Sequence, residues 1–174
     1  MHTSSQYDRY FQVFALEFFY QVLPWQWFKA QAIAESSLDP DALSPVGALG
    51  LMQLMPATAA EMAQLLGIAN APLVPHVNIR LGIAYDRRCW DFWTSASRSH
   101  EDRIRFMLGS YNAGWGNILK AQRLAVATGH PGDKWRSIAE CLPKVTGAHA
   151  AETIAYAAKI ERLFAELTTK ETHA

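Results

Sequence analysis

The chain has 174 residues and equal numbers of basic and acidic side chains, sixteen of each. Half of its residues are hydrophobic and 18% are charged, against about 25% charged in an average globular domain. A chain of this length and apolarity folds without a disulfide or a metal, and a net charge of zero gives no long-range field to collect nucleic-acid phosphates. Composition therefore predicts one domain over residues 1–174, with no disorder and no nucleic-acid partner.

The cysteines and histidines form no recognisable metal or redox motif. Cys89 and Cys141 make no Cys-x-x-Cys pair and are expected in the core, and the histidine spacings match no common metal motif. The most apolar segment, residues 11–28, is interrupted by Gln, Glu and Pro residues, and the first ten residues lack the features of a secretory signal. We expect no metal, no cofactor, no membrane insertion and no classical export.

Helical periodicity runs along the chain without sustained period-two alternation, which predicts a mainly α fold. A first helix is predicted over residues 7–22, with Tyr10, Phe11, Phe14 and Phe18 facing the core. Ser99 is typical of an N-cap for a later helix. Further helices are predicted over residues 56–66, 78–93, 99–111, 115–128 and 148–167. The arginines between residues 80 and 105 alternate with acids and predict a mostly solvated, salt-paired face.

The second helix places an acid at an unusual position. Pro24 opens this helix, and Asp39-Pro40 ends it shortly after Glu35. A helix dipole disfavours an ionised carboxyl at the C-terminal end, and the protonated carboxyl is the form that a general acid needs. Taken alone, the position still favours a solvated surface glutamate. The next segment, residues 38–50, has the proline and glycine content of a loop.

Ordered motifs follow this glutamate. Residues 35–36 are Glu-Ser, and residues 44–58 carry Ser44, Gly47-Ala48, Gly50-Leu51-Met52-Gln53, Met55-Pro56 and Thr58. Tyr111-Asn112-Ala113-Gly114 and Glu152-Thr153 with Tyr156 come later. In order and spacing, these residues resemble the catalytic domain of the soluble lytic transglycosylases. The resemblance implies the fold of goose-type lysozyme for residues 7–164, followed by a tail over 165–174.

The resemblance also implies a function and a catalytic acid. The expected reaction is cleavage of the β-1,4 bond between N-acetylmuramic acid and N-acetylglucosamine in peptidoglycan glycan strands, with a 1,6-anhydromuramoyl product. Glu35 would act first as the acid and then as the base. Most glycosidases need two carboxylates, whereas substrate-assisted enzymes need one. Asp39 and Asp41 are the nearest other acids, and we interpret them as turn and loop residues.

Six residues are expected to bind substrate, each with a structural alternative. Ser44 is also typical of a loop, and the Gln53 amide needs either a sugar or a backbone partner. Met55 alternatively fills the core, and Tyr111 and Asn112 alternatively belong to a helix terminus. Tyr156 fits a core face equally well, and Trp115 is the best tryptophan for stacking on a sugar. The predicted substrate-binding residues are Ser44, Gln53, Met55, Tyr111, Asn112 and Tyr156.

Two other functions fit the sequence. A muramidase or chitinase on the same fold would release a hydrolytic product, and a non-catalytic wall-binding protein would release none. An enzyme without a leader acts on the wall in the periplasm or from outside the cell only if it is delivered there. Candidate partners for that delivery are phage lysis or virion proteins and a secretion apparatus.

Overall fold

The computed structural model describes residues 4–94 and 97–171, and its regular structure is helical, which confirms the mainly α fold. The described residues fall into two compact units: residues 4–85 with 160–171, and residues 86–159 without 95 and 96. The helices Pro75–Phe92 and His149–Glu171 contribute residues to both units. The helices in chain order are α1 Asp8–Phe19, α2 Gln26–Ser36, α3 Pro56–Leu66, α4 Pro75–Phe92, α5 His100–Ala113, α6 Trp115–Ala127, α7 Trp135–Cys141, α8 Pro143–Thr146 and α9 His149–Glu171.

A buried ion pair joins the first two helices of the first unit. The Lys29 ammonium on α2 lies 2.6 Å from a carboxylate oxygen of Asp8 in the first turn of α1, and the Lys29 side chain is only 4% exposed. Trp27 stacks on Phe164, with ring centroids 4.1 Å apart. Because one face of α2 is held by these contacts, the helix fixes the position of the residues at its C-terminal end.

The buried face of α1 differs from the prediction. Phe11 is buried as expected, but Phe14 and Phe18 are half-buried, and Ala15 and Phe19 complete the buried face. The prediction for Tyr10 was wrong, because its side chain is 39% exposed and contacts the His76 ring instead. Apolar residues occupy several faces of this helix, so periodicity alone does not select the one that packs. The helix ends at Phe19, three residues early.

The boundaries of α3 agree with the prediction, whereas α4 begins three residues early. Pro56 is the first residue of α3, and Gly67 ends it in the left-handed conformation. Pro75 is the first residue of α4, whereas the predicted helix begins at residue 78. Proline is tolerated in a first helical turn, so both starts have the same cause.

Four consecutive helices, α5 to α8, form most of the second unit, where α6 packs against α5, α7 and α8. Ser99 caps α5 as predicted, because its Oγ accepts the Asp102 N–H at 3.1 Å. The short helices α7 and α8 were not predicted. Trp135, Ile138 and Cys141 are buried along α7, so tertiary packing stabilises a segment too short to show periodicity.

The prediction of a solvated arginine face was wrong in part. Arg98 is 8% exposed, and its guanidinium carbon lies 4.2 Å from the Phe106 ring centroid. Asp86 and Asp102 are also buried. Arg80 and Arg87 do form ion pairs on the surface, with Glu17 and Asp91. Arginine stacks on aromatic rings as well as pairing with acids, and alternating charges do not distinguish these two environments.

Both cysteines are buried and free, as expected of core residues. The last helix continues through Glu171, so most of the predicted tail is helical. Among the residues that the structure describes, no helix combines the length and the apolarity needed to cross a bilayer.

Candidate active site

Glu35 is the penultimate residue of α2, as predicted, and its side chain is half-buried. The helix ends one residue later, at Ser36, because Ser37 takes a left-handed conformation with φ 58° and Leu38 follows with φ 65°. This conformation costs about 1–3 kcal/mol for a residue other than glycine and persists only where the surroundings impose it. Leu38 is 8% exposed, and the packing of its buried side chain helps to hold the turn.

Ser36 connects the end of α2 to the loop that follows. Its Oγ donates to the Leu51 carbonyl oxygen at 2.9 Å and also lies 3.2 Å from the Ala32 carbonyl oxygen of its own helix. The residue beside Glu35 is therefore bonded to the segment that carries Gly50 and Gln53. Ser36 is the second residue of the Glu-Ser motif, and its hydrogen bond to Leu51 ties the end of α2, where Glu35 lies, to this loop.

Residues 42–54 form a compact loop with short antiparallel pairings. Leu49 bridges to both Leu43 and Leu54, and Leu49 and Leu54 exchange two backbone hydrogen bonds of 3.0 Å. The N–H of Gly50 donates to the Ala42 carbonyl oxygen at 2.8 Å. The composition of residues 38–50 correctly indicated a loop, but it gave no sign of these pairings.

Gly50 must be a glycine for two separate reasons. Its φ of 70° is left-handed, and a Cβ atom there would lie 2.6 Å from Asn78 Nδ2 and 2.8 Å from the Pro72 carbonyl oxygen. Gly47 in the same loop also has a positive φ, of 88°.

Asn78 on α4 anchors this loop and was missed as a site residue. Its Oδ1 accepts the Met52 N–H at 2.7 Å, and its Nδ2 donates to the carbonyl oxygens of Leu49 and Pro72 at 2.9 and 2.7 Å. The residue is 1% exposed. An asparagine between Val77 and Ile79 on a helix was the available signal, because a buried amide needs partners.

Ser44 and Gln53 both bond to the loop itself. Ser44 Oγ accepts the Ala48 N–H at 2.9 Å, so the hydroxyl still has its own hydrogen to donate. Gln53 has a φ of 45°, and its Nε2 donates to the carbonyl oxygens of Gly50 at 2.9 Å and Ala42 at 3.2 Å. The Gln53 amide nitrogen thus has the backbone partners that were one of its two expected alternatives. Sugar binding by Ser44 and by Gln53 Oε1 stays a prediction.

The two methionines of this segment have different surroundings. Met52 is fully buried, and a Cβ atom added at Gly82 would lie 2.8 Å from its Cβ and Cγ atoms. Met55 is the N-cap of α3 and is 44% exposed. Met52 therefore belongs to the core, whereas Met55 is accessible to a ligand.

The remaining predicted residues belong to the second unit. Tyr111 and Asn112 lie in the last turn of α5 and are half-buried, and Tyr156 on α9 is 9% exposed. Asn112 Oδ1 accepts a hydrogen bond from Thr153 Oγ1 at 2.8 Å. The C-cap of α5 is Gly114, whose φ is 82°. Asn112 is therefore not the capping residue.

Trp115, just after the end of α5, and Phe92, at the end of α4, form an exposed aromatic pair. Trp115, the first residue of α6, is 44% exposed, and its ring centroid lies 4.9 Å from that of Phe92, which is equally exposed. Trp27, Trp90 and Trp93 are 9% exposed or less. Trp115 is therefore more accessible than these three, as expected of a stacking residue.

Asp102 is a buried acid of the second unit that accepts three hydrogen bonds. Burial alone would raise its pKa, but hydrogen bonds from Ser99 Oγ, the Trp135 N–H and Lys134 Nζ outweigh burial and lower the pKa below its usual value. These bonds measure 2.7, 2.9 and 3.3 Å. Asp102 therefore has a structural role, holding the start of α7 against the start of α5. Across residues 4–94 and 97–171, His, Cys, Asp and Glu side chains form no group of three or more suited to a metal ion.

Solved structures of similar fold are lytic transglycosylases. The 70-kDa soluble lytic transglycosylase of Escherichia coli matches with a TM-score of 0.72 at 22% identity, over 95% of this chain and 25% of that chain. An inactive mutant of the lytic transglycosylase Slt from Pseudomonas aeruginosa matches with the same score at 25% identity, over 95% of this chain and 25% of that one. These matches confirm the lysozyme-like fold that the motifs implied.

Curated relatives are named membrane-bound lytic murein transglycosylase F. The protein from Maricaulis maris is 34% identical over 179 aligned residues, covering 95% of this chain and 37% of the relative. The protein from Vibrio cholerae is 35% identical over 135 residues, covering 78% of this chain and 23% of the relative. The chain thus spans about a quarter to just over a third of the length of these relatives.

The sequence model of the family described as Transglycosylase SLT domain matches residues 20–130. This range includes Glu35, the loop over residues 42–54, and the Tyr111-Asn112 pair. It covers more than half of the chain, and the relatives described above are more than 30% identical to this chain. The chain belongs to the Transglycosylase SLT domain family.

Proposed function

We propose that this chain is a peptidoglycan lytic transglycosylase, which cleaves the β-1,4 bond between N-acetylmuramic acid and N-acetylglucosamine and leaves a 1,6-anhydromuramoyl end. The observation that carries the proposal is a half-buried Glu35 at the end of α2, in a chain of the Transglycosylase SLT domain family. The relatives named lytic murein transglycosylases support the same substrate and the same reaction.

In the proposed mechanism, Glu35 carries the proton in both steps. Its carboxyl first protonates the glycosidic oxygen, the bond between that oxygen and C1 of the muramoyl residue breaks, and the N-acetylglucosamine chain leaves with a free 4-hydroxyl. The acetamido oxygen of the muramoyl residue supports the positive charge at C1. The resulting carboxylate then takes the proton of the C6 hydroxyl of the same sugar, and O6 bonds to C1. No water is consumed, and Glu35 ends protonated as it began. General acid and base catalysis of this kind contributes about 10²–10⁴-fold.

A single protein acid is enough for this mechanism, because the sugar supplies the second group. Asp39 Oδ1 accepts the Asp41 N–H at 3.0 Å, so this carboxylate is already used in a turn. Asp41 is exposed in the same loop. Both arrangements support the interpretation of Glu35 as the catalytic acid.

The predicted binding residues supply polar and accessible groups for a glycan. The Ser44 hydroxyl has a hydrogen to donate to an acetamido oxygen, and Met55 and Trp115 present exposed apolar surface. Tyr111, Asn112 and Tyr156 remain proposed substrate contacts of the second unit. The proposed place of action is the peptidoglycan layer, in the periplasm or from outside the cell. Delivery by phage or secretion proteins stays a prediction from the sequence alone.

Product analysis tests the reaction class. Purified peptidoglycan is digested with the protein, and the released fragments are separated and weighed by mass spectrometry. A lytic transglycosylase releases fragments that are lighter by one water than those of a hydrolase and that have no reducing end. Reducing products would instead assign the chain to the muramidase alternative, and the absence of any fragment would favour a wall-binding protein.

A further inference from the structure

A buried threonine of α9 is hydrogen-bonded to the proposed substrate residue Asn112. Thr153 is 2% exposed, and its Oγ1 donates to Asn112 Oδ1 at 2.8 Å. The same hydroxyl lies 3.3 Å from the His149 carbonyl oxygen of its own helix, so the bond to Asn112 is the shorter one. The two residues are 41 positions apart, and both lie in the second unit.

This bond selects one of two orientations of the Asn112 amide. The oxygen and nitrogen of an asparagine side chain exchange places when its terminal torsion turns by 180°, and the shape hardly changes. A hydroxyl can donate or accept, but the reversed amide would leave the Thr153 hydrogen only the more distant His149 carbonyl oxygen, at 3.3 Å. The orientation with Oδ1 towards Thr153 is therefore favoured, and it places the NH₂ group on the opposite side. Among the described residues, the Asn112 NH₂ group meets no hydrogen-bond acceptor, so its hydrogens remain available to a ligand.

We infer that Thr153 is a positioning residue, which holds the Asn112 amide so that its NH₂ group donates to the carbonyl oxygen of an N-acetyl group on the glycan. The inference rests on the proposed function, because that function supplies the acetamido ligand. A carbonyl oxygen accepts and does not donate, so it discriminates between the two ends of the amide. The reversed amide would present Oδ1 to this oxygen, with repulsion in place of a hydrogen bond.

The test measures binding of soluble, uncross-linked glycan strands by isothermal titration calorimetry, with every variant made in Glu35→Gln so that the ligand is not consumed. Thr153→Val keeps the shape of the side chain and removes the hydroxyl, whereas Thr153→Ser keeps the hydroxyl. We expect Thr153→Val to raise Kd about 3- to 10-fold and Thr153→Ser to stay within about twofold, the range of one hydrogen bond.

A double-mutant cycle separates positioning from a purely structural role. In an Asn112→Ala background, Thr153→Val is expected to change Kd by less than about 1.5-fold, because the amide it positions is gone. Thermal unfolding followed by circular dichroism verifies that each variant folds. Unchanged binding by Thr153→Val, or an equal loss with and without Asn112, would overturn the inference. If the Glu35→Gln parent itself bound no glycan, the proposed function would fail first.

Discussion

The hydroxyl of Ser36 donates to the carbonyl oxygen of Leu51 at 2.9 Å, and this bond joins the residue after Glu35 to the loop over residues 42–54. Because Glu35 and Ser36 are the last two residues of α2, the bond also restrains the backbone that carries the side chain of the proposed acid. It supplies a positional constraint that the helix alone does not, since the backbone becomes left-handed at Ser37.

Ser36→Ala is expected to lower kcat about tenfold, because small displacements of a catalytic group have large effects on rate. One lost hydrogen bond should lower Tm by only about 2–4 °C. Release of soluble fragments from peptidoglycan gives the rate. Thr169→Ala is the control, because Thr169 Oγ1 likewise donates to a backbone carbonyl oxygen, that of Ala165 in its own helix. A fall in kcat no larger than in this control would contradict the prediction.

Asn78→Ala should destabilise the protein by about 2–5 kcal/mol, because it leaves a buried N–H and two partly buried carbonyl oxygens without their partner. Urea unfolding followed by circular dichroism measures the change. The exposed Asn70 offers a matched control, and Asn70→Ala should stay within about 0.5 kcal/mol of the wild type. Equal stability of the two variants would show that Asn78 does not anchor the loop.

Asp39→Asn and Asp41→Asn should each keep activity within about threefold of the wild type, because neither carboxylate takes part in the proposed reaction. The side-chain carbonyl oxygen that Asp39→Asn retains can still accept the Asp41 N–H. Initial rates of fragment release compare the two variants with the wild type. A loss of about a hundredfold in either would identify a second catalytic acid.

The sequence predicted the elements that have strong local signals. Pro56 and Gly67 delimit α3, and Ser99 caps α5, since these residues act through their own backbone conformation and nearby N–H groups. The position of Glu35 followed from the proline and glycine content after α2. The family resemblance, in turn, correctly implied the fold.

Features that depend on distant contacts were not predictable in this way. Tyr10 is exposed because another apolar face of α1 packs, and α7 is helical because Trp135 and Ile138 are buried. Asn78 acts on a loop more than twenty residues earlier in the chain. The backbone bonds of Gln53 Nε2 depend on a fold of the loop that composition does not specify.

Asp102→Asn is expected to reduce stability in a pH-dependent manner. The pKa of Asp102 is lowered in the folded protein, so its contribution is present above the unfolded value of about 3.9 and is lost as the pH falls through the folded value. Urea unfolding should give a deficit of about 1.5–3 kcal/mol at pH 7, typical of hydrogen bonds to a charged group, and a smaller one at pH 3.

Glu101→Gln is the control for this pH series, because Glu101 is an exposed acid in the same turn of α5. Its effect on stability should stay within about 0.5 kcal/mol. A deficit of Asp102→Asn that is constant from pH 7 to pH 3 would show that the charge of Asp102 does not contribute to stability.

The most direct test of the central claim is the yield of anhydromuropeptides from purified peptidoglycan, measured by mass spectrometry for the wild type and for Glu35→Gln. Glutamine keeps the size of the side chain but can neither donate nor accept the proton, so we predict anhydro products from the wild type and at least about a hundredfold less from the variant. Anhydro products from a folded Glu35→Gln protein at the wild-type rate would contradict the assignment of Glu35 as the catalytic acid.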